Sequence, residues 1–220
     1  MSPSPRPWLL LQLADGAFPS GGFAHSGGLE ATVQLRGVDD VETFLREALW
    51  QAGRSSLPFV AAAAAAPTAL AALDRADEVI LPSHVANAAS RAQGRALLGA
   101  ARRAFEDAGA LRAVAAAARS GPSHHAPVFG AVFGALGTSV DEARVAYLFG
   151  VARSTLSAGV RLGIVGPLEA QGILAAHAPE LDRIVEECGD LALEDAAQAA
   201  PLLELFGALH DRLDARLFQS

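Results

Sequence analysis

The chain has 220 residues, which is enough for one domain of ordinary size to bury a core without disulfides or structural metals. Hydrophobic residues make up 51% and charged residues 19%, a balance that excludes intrinsic disorder. All 17 basic residues are arginines, so a lysine nucleophile, a Schiff base and a P-loop lysine are excluded. The formal charge of −7 argues against a nucleic-acid binder.

The cysteine count and the hydropathy of the sequence indicate in which cellular compartment the protein resides. The single cysteine, Cys188, excludes an intramolecular disulfide framework and a cysteine zinc cluster, and it favours a reducing compartment such as the cytoplasm. The uncharged stretch from Leu57 to Leu73 is mostly alanine and contains two prolines, and it falls short of the roughly 20 residues that a bilayer requires. We therefore expect no membrane-spanning segment.

The predicted elements are all helical, because strand and hairpin signals are scarce along the chain. A flexible, proline-rich tail (residues 1–7) precedes a short helix and a glycine-rich segment. Periodicity, caps and breaks predict two helices that begin at about residue 29 and at residue 41. The other predicted helices cover residues 8–14, 57–66, 68–81, 84–108, 111–118, 128–136, 140–163, 168–177, 181–197 and 202–217. We expect a single all-α domain, a bundle of about eight to ten helices.

The glycine-rich segment from Phe18 to Gly28 is the most distinctive feature. It lacks the G-x-G-x-x-G spacing of a dinucleotide site, and His25-Ser26 lacks the glycine that a nucleophile elbow would place at position 24. Phe18 and Phe23 can anchor the segment while the glycines let its backbone bend. A structural or assembly role is favoured over catalysis by His25 and Ser26.

Histidines are the remaining source of metal or acid–base chemistry. His124 and His125 stand beside a proline-containing break and could offer a ligand pair, although no H-E-x-x-H motif occurs. A stand-alone helical metal-binding protein using this pair is the alternative hypothesis.

Charge is distributed unevenly along the sequence. Residues 91–119 contain six arginines and two acids, net +4, whereas residues 169–220 contain eleven acids and three arginines, net −8. Arg91, Arg95 and Arg102 share one helical face, which is either solvated or pairs with carboxylates of another helix or another chain. Such asymmetry favours electrostatic docking to proteins.

The C-terminal region combines leucines and cations. Leu205, Leu209, Leu213 and Leu217 recur at helical spacing and predict an amphipathic helix, either docked in the core or binding a partner. We expect the last stretch, about residues 211–220, to be a partner-docking tail.

Four segments of the sequence form a recognisable set. They are the run from Leu10 to Glu30 (LLQLADGAFPSGGFAHSGGLE), Ser90 to Leu98 (SRAQGRALL), His125 to Gly130 (HAPVFG) and Leu156 to Leu162 (LSAGVRL). Together they resemble the urease accessory protein F (UreF) family. The ending from His210 to Ser220 matches as well, so the resemblance covers nearly the whole chain. The sequence departs from the family pattern at Pro167 and Ala170.

The resemblance implies a non-catalytic, dimer-forming, all-helical chaperone of nickel urease maturation. Such a protein binds the D (or H) accessory protein, recruits or regulates the nickel-carrying GTPase G, and presents it to apo-urease. It has no resident cofactor, since the complex handles nickel transiently. The residues that we predict to serve assembly or partner binding are Phe18, Pro19, Gly21, Gly22, Phe23, His25, Ser26, Gly27, Gly28, Glu30, Arg91, Arg95, His210, Arg212, Arg216, Leu217 and Phe218.

Overall fold

A computed structural model describes residues 7–36 and 40–220, which form one all-helical domain without a strand in those ranges. The all-α prediction is therefore confirmed, although twelve α-helices are present in the described ranges where about eight to ten were expected. They are α1 Pro7–Ala14, α2 Leu29–Arg36, α3 Val41–Ser55, α4 Leu57–Ala65, α5 Leu70–Ile80, α6 His84–Ala104, α7 Gly109–Ala118, α8 His125–Ala135, α9 Val140–Leu162, α10 Pro167–Ala176, α11 Ala178–Cys188 and α12 Pro201–Ala208. Apart from Pro7, the predicted flexible tail lies outside the described residues.

Two helices begin at a residue whose side chain caps the helix N-terminus. The Asp40 side chain accepts hydrogen bonds from the backbone N–H groups of Glu42 and Thr43, both at 3.1 Å. Ser139 and Glu142 form a reciprocal capping box at the start of α9. These side chains satisfy donors that an open helix end leaves unpaired, so both starts are fixed locally.

The core is centred on α8, which packs against α4 and is flanked by α6 and α9. Residues 126–133 of α8 are all buried. A Cβ on Gly130 or Gly134 would overlap the carbonyl oxygen of Val60 or Ala64, so the two backbones touch where glycine leaves room. Alanine and glycine thus build this core by close helix approach.

Helix α6 ends four residues earlier than predicted, and two other predicted helices each end nine residues early. The helix expected over 181–197 stops at Cys188, because Gly189 and Asp190 that follow are poor helix formers. The helix expected over 202–217 stops at Ala208, so the prediction that Leu205 to Leu217 share one helical face is wrong. A short 3₁₀ turn, His210–Arg212, follows, and the rest of the tail is irregular.

No single helix in the described ranges is both long and apolar enough to cross a membrane. One pair, Leu57–Ala65 with Pro67–Ile80, meets the criterion of length and composition only when taken together, and it bends by 118° at the break.

Candidate functional site

The glycine-rich loop, residues 18–28, lies along α6. The Phe18 ring stacks on Phe105 at a centroid distance of 6.5 Å. Gly21 has a left-handed φ of 80°, and a Cβ there would stand 3.1 Å from the Ala96 methyl. Phe23 is 71% exposed, so one aromatic anchors the loop and the other faces outward.

The tail, residues 211–220, runs beside this loop and is hydrogen-bonded to it. The backbone N–H of Ser26 donates to the Ser220 carbonyl at 2.5 Å, and the N–H of Gln219 donates to the Ala24 carbonyl at 2.8 Å. Ser26 Oγ donates to the same Ser220 carbonyl at 2.9 Å, while His25 Nδ1 and Ser220 Oγ share a hydrogen bond of 2.6 Å. His25 therefore engages Ser220 rather than activating Ser26.

Glu30 fastens the tail from the first turn of α2. Its carboxylate is 1% exposed and accepts from the backbone N–H groups of Leu217 at 2.6 Å and Phe218 at 3.1 Å. His210 Nε2, also buried, lies 2.9 Å from Glu30 Oε2. One buried carboxylate thus satisfies two backbone donors and one imidazole of the C-terminal region, which is a costly arrangement to break. We call the loop, Glu30, His210 and the tail together the loop–tail junction.

Arg161 of α9 joins the two sides of the junction. Its guanidinium lies 3.9 Å from the Phe23 ring centroid and 4.1 Å from that of Phe218, and it donates to the Phe23 carbonyl. This cation–π sandwich gives the exposed Phe23 ring a contact with the domain. Arg161 is not among the residues predicted from the sequence. It lies in the segment from Leu156 to Leu162 that resembles the UreF family, and it is the one charged residue there.

The tail residues differ in their exposure to solvent. Leu213 and Phe218 are buried against the domain, whereas Arg212, Arg216 and Leu217 face outward, Leu217 being 53% exposed. Gly28 brings the loop close to α12: its φ is 92°, and a Cβ there would stand 3.2 Å from the Gly207 Cα.

Arg91 and Arg95 lie on α6, outside the junction. Arg91 pairs with Glu78 of α5, and the same carboxylate bonds His124 Nε2 at 2.6 Å. Arg95 is exposed and forms no ion pair within residues 7–36 and 40–220.

His124 and His125 occupy different surroundings. The fully buried His124 ring also bonds Ser90 Oγ through Nδ1 at 3.2 Å. The His125 ring packs against Phe129 and Tyr147, and burial lowers its pKa to about 4. In the described part of the chain, no three histidine, cysteine, aspartate or glutamate side chains come together as metal ligands.

A cavity of about 300 Å³ lies behind the junction. Its lining includes His25, Ser220, Asp77, His125 and Glu204. Burial raises the pKa of Asp77 to about 7, helped by the nearby charges of Asp74 and Glu78, and Asp77 Oδ2 has no hydrogen-bond partner. Sequence reasoning missed Asp77, because an acid on an amphipathic helix ordinarily faces solvent.

The fold and the site define an all-helical protein whose glycine-rich loop is hydrogen-bonded to its C-terminal tail. A family model described as UreF matches residues 35–178, and the chain belongs to the UreF family. It is 36% identical to urease accessory protein F of Oryza sativa subsp. indica over 219 residues, covering 96% of this chain and 84% of that one. The protein of the same name from Arabidopsis thaliana is 36% identical over 221 residues, covering 97% and 92%. Urease accessory protein UreF of Trichodesmium erythraeum is 30% identical over 220 residues, covering 95% and 94%.

Proposed function

We propose that the chain is a non-catalytic accessory protein required for nickel insertion into apo-urease. In this role it binds the D/H accessory protein and recruits or regulates the nickel-carrying GTPase G, with nickel as transient cargo. The observation that carries the proposal is the loop–tail junction, in which the loop of the family resemblance and the tail form one composite surface.

Exposed apolar side chains beside the junction support docking of a protein. Leu202 and Leu205 of α12 are 50% and 54% exposed, and Leu35 of α2, the helix against which α12 packs, is 48% exposed. Single exposed leucines are ordinary, but several on neighbouring elements indicate a contact surface. With Leu217 they form the face that we assign to the D/H protein.

The outward cations of the tail suit a second contact. Arg212 and Arg216 are exposed and form no ion pair in residues 7–36 and 40–220. Arginine can hold carboxylates or phosphates in a two-pronged geometry, so we assign these two side chains to recruitment of the GTPase.

Self-association and location complete the proposal. Trp8 and Leu11 of α1 are 76% and 63% exposed, which provides apolar area for a second copy in a homodimer. The cytoplasm is the proposed location, since the one free thiol, Cys188, suits a reducing compartment.

Urease activation in cells tests the proposal. Cells that carry urease and its other accessory genes, with this chain as the sole F protein, are assayed for urease activity. The surface variant Leu217→Asp with Arg216→Glu should lose activation and co-purification of the D and G proteins. Leu168→Asp is the matched control, because Leu168 is 89% exposed on α10, and it should behave as wild type. No activation by the wild-type chain, or hydrolase turnover or stoichiometric tight nickel on the purified chain, would overturn the proposal.

A further inference from the structure

Two consecutive helices carry arginines that have no acidic partner. They are Arg95, Arg102 and Arg103 on α6, Arg112 on α7, and Arg119, the residue that follows α7, all exposed. Arg95 and Arg102 are seven residues apart, as are Arg112 and Arg119, so each pair repeats after about two turns on one side of its helix. We call these five side chains the arginine face.

The arginine face differs from the four arginines of the described residues that have an acidic partner. Arg46, Arg91, Arg144 and Arg183 each have a carboxylate within 4.0 Å. No such partner is found for the arginine face in residues 7–36 and 40–220, where only a long contact from Arg112 to the Glu106 carbonyl, at 3.4 Å, occurs. The acids nearest in sequence, Glu106 and Asp107, are exposed in the turn between the two helices.

Charge makes the face unusual for this chain. The overall charge is −7, so a basic surface is not a consequence of composition. Five solvated cations that repel one another cost free energy unless a partner of opposite charge approaches.

The face adjoins the loop–tail junction. Arg95 precedes Ala96, which meets Gly21 of the loop, and Arg103 lies two residues before Phe105, on which Phe18 stacks. A protein seated on the junction would therefore reach the α6 part of the arginine face.

We propose that the arginine face docks an acidic surface of a protein partner and extends the assembly site along α6 and α7. The assignment of that partner to urease maturation rests on the proposed function. Nucleic acid fits less well, because no exposed aromatic side chain is found on α6 or α7 to stack on a base. A membrane surface fits less well, because no large hydrophobic side chain is exposed on either helix.

Binding of two synthetic peptides to the full chain tests the proposal. Both are fluorescent helices of about 20 residues, one with glutamates at helical spacing and the other with glutamines at the same positions. The test variant is Arg102→Glu with Arg119→Glu. The control is Arg36→Glu with Arg54→Glu, which changes the net charge equally at exposed arginines of α2 and α3.

The proposal expects the glutamate peptide to bind, the glutamine peptide not to bind, and the affinity to fall as salt rises from about 0.05 M to about 0.5 M. The test variant should bind at least about tenfold more weakly and the control within about twofold of wild type. Equal binding of the two peptides, or equal losses in the two variants, would overturn the proposal.

Three further outcomes would also overturn it. They are tighter binding of a DNA duplex of similar length, tighter binding of anionic phosphatidylserine vesicles, and self-association of the chain that the test variant abolishes, which would assign the face to a second copy. Urease activation separates this inference from the proposed function. If the wild-type chain activates urease while the glutamate peptide does not bind, only the arginine face is misassigned.

Discussion

The contact between α4 and α8 and the loop–tail junction are held together by opposite means. In the first, Gly130 and Gly134 let two apolar backbones touch, and the buried surface contains no ion pair among its described residues. In the second, one buried carboxylate, Glu30, holds two backbone amides and an imidazole. Close apolar packing contains no group that titrates, whereas a contact that depends on one carboxylate can be lost through a change at that single group.

The difference suggests a division of roles. The helical core keeps α6 and α9 in place, and the loop contacts Ala96 of α6, Phe105 just after α6, and Arg161 of α9. The junction is the part to which we assign partner binding. Substitutions in the core should therefore impair folding, whereas substitutions in the junction should impair assembly and leave the fold intact.

The largest effect is expected from Gly130→Val. The added side chain would overlap the backbone of Val60, which cannot move away because α4 is buried on the opposite face too. We expect a loss of about 4 kcal/mol or more in the free energy of unfolding, measured by denaturant titration followed by circular dichroism. Gly99→Ala is the control, since a Cβ there meets nothing within 4 Å, and it should stabilise slightly. A Gly130→Val protein as stable as wild type would show that the α4–α8 approach is looser than described.

Glu30→Ala should have the next largest effect, and in the junction alone. It leaves His210 and the N–H groups of Leu217 and Phe218 without their acceptor, for a cost of about 3 to 5 kcal/mol. Hydrogen exchange should quicken at Leu217 and Phe218 and stay unchanged at Val132 in α8. Equal acceleration at Val132 would mean that junction and core unfold together.

Asp77→Asn should stabilise the protein, because the folded state holds this acid in its neutral form. The pKa of Asp77 is raised from 3.8 to about 7, so the unfolded chain ionises first and stability falls as pH rises between these values. The variant removes this cost, giving about 4 kcal/mol above pH 7 and almost nothing near pH 3. Thermal unfolding of both proteins across this range measures the difference, and a gain independent of pH would contradict the ionisation account.

Arg161→Met is expected to have the smallest effect. It removes the cation between Phe23 and Phe218 but keeps much of the apolar stem, for a loss of about 1 kcal/mol. Arg161→Lys, which keeps the charge, should retain part of that energy. If both variants are as stable as wild type, the cation–π contacts of Arg161 do not stabilise the junction, and the hydrogen bonds between loop and tail alone hold it.

The fold could be predicted from the sequence because its determinants are local. Helical spacing, Asp40 and Ser139 as caps, and the break at residues 120–123 locate most helices. The end of α12 could not be predicted, since the leucine spacing continues past Ala208. There His210 and the tail gain more from Glu30 than from another helical turn, which is a tertiary effect.

The contact between loop and tail could not be predicted. The sequence predicts an assembly role for the glycine-rich loop and for the tail, which stays a prediction, but nothing in the sequence indicates that they meet. Glu30 and Phe218 are 188 residues apart, and the groups that bond Glu30 in the tail are backbone amides, which carry no side-chain signature. Ser220 and Asp77 were missed for the related reason that their roles depend on what surrounds them.

The central claim is that loop and tail act as one assembly surface because Glu30 holds them together. The most direct test is urease activation by Glu30→Gln, an isosteric change, in cells where this chain is the only F protein, with circular dichroism and hydrogen exchange on the purified variant. The account predicts an unchanged helical spectrum, faster exchange at Leu217 and Phe218, and loss of both urease activity and co-purification of the D and G proteins. Full activation by a chain whose tail amides exchange freely would contradict it.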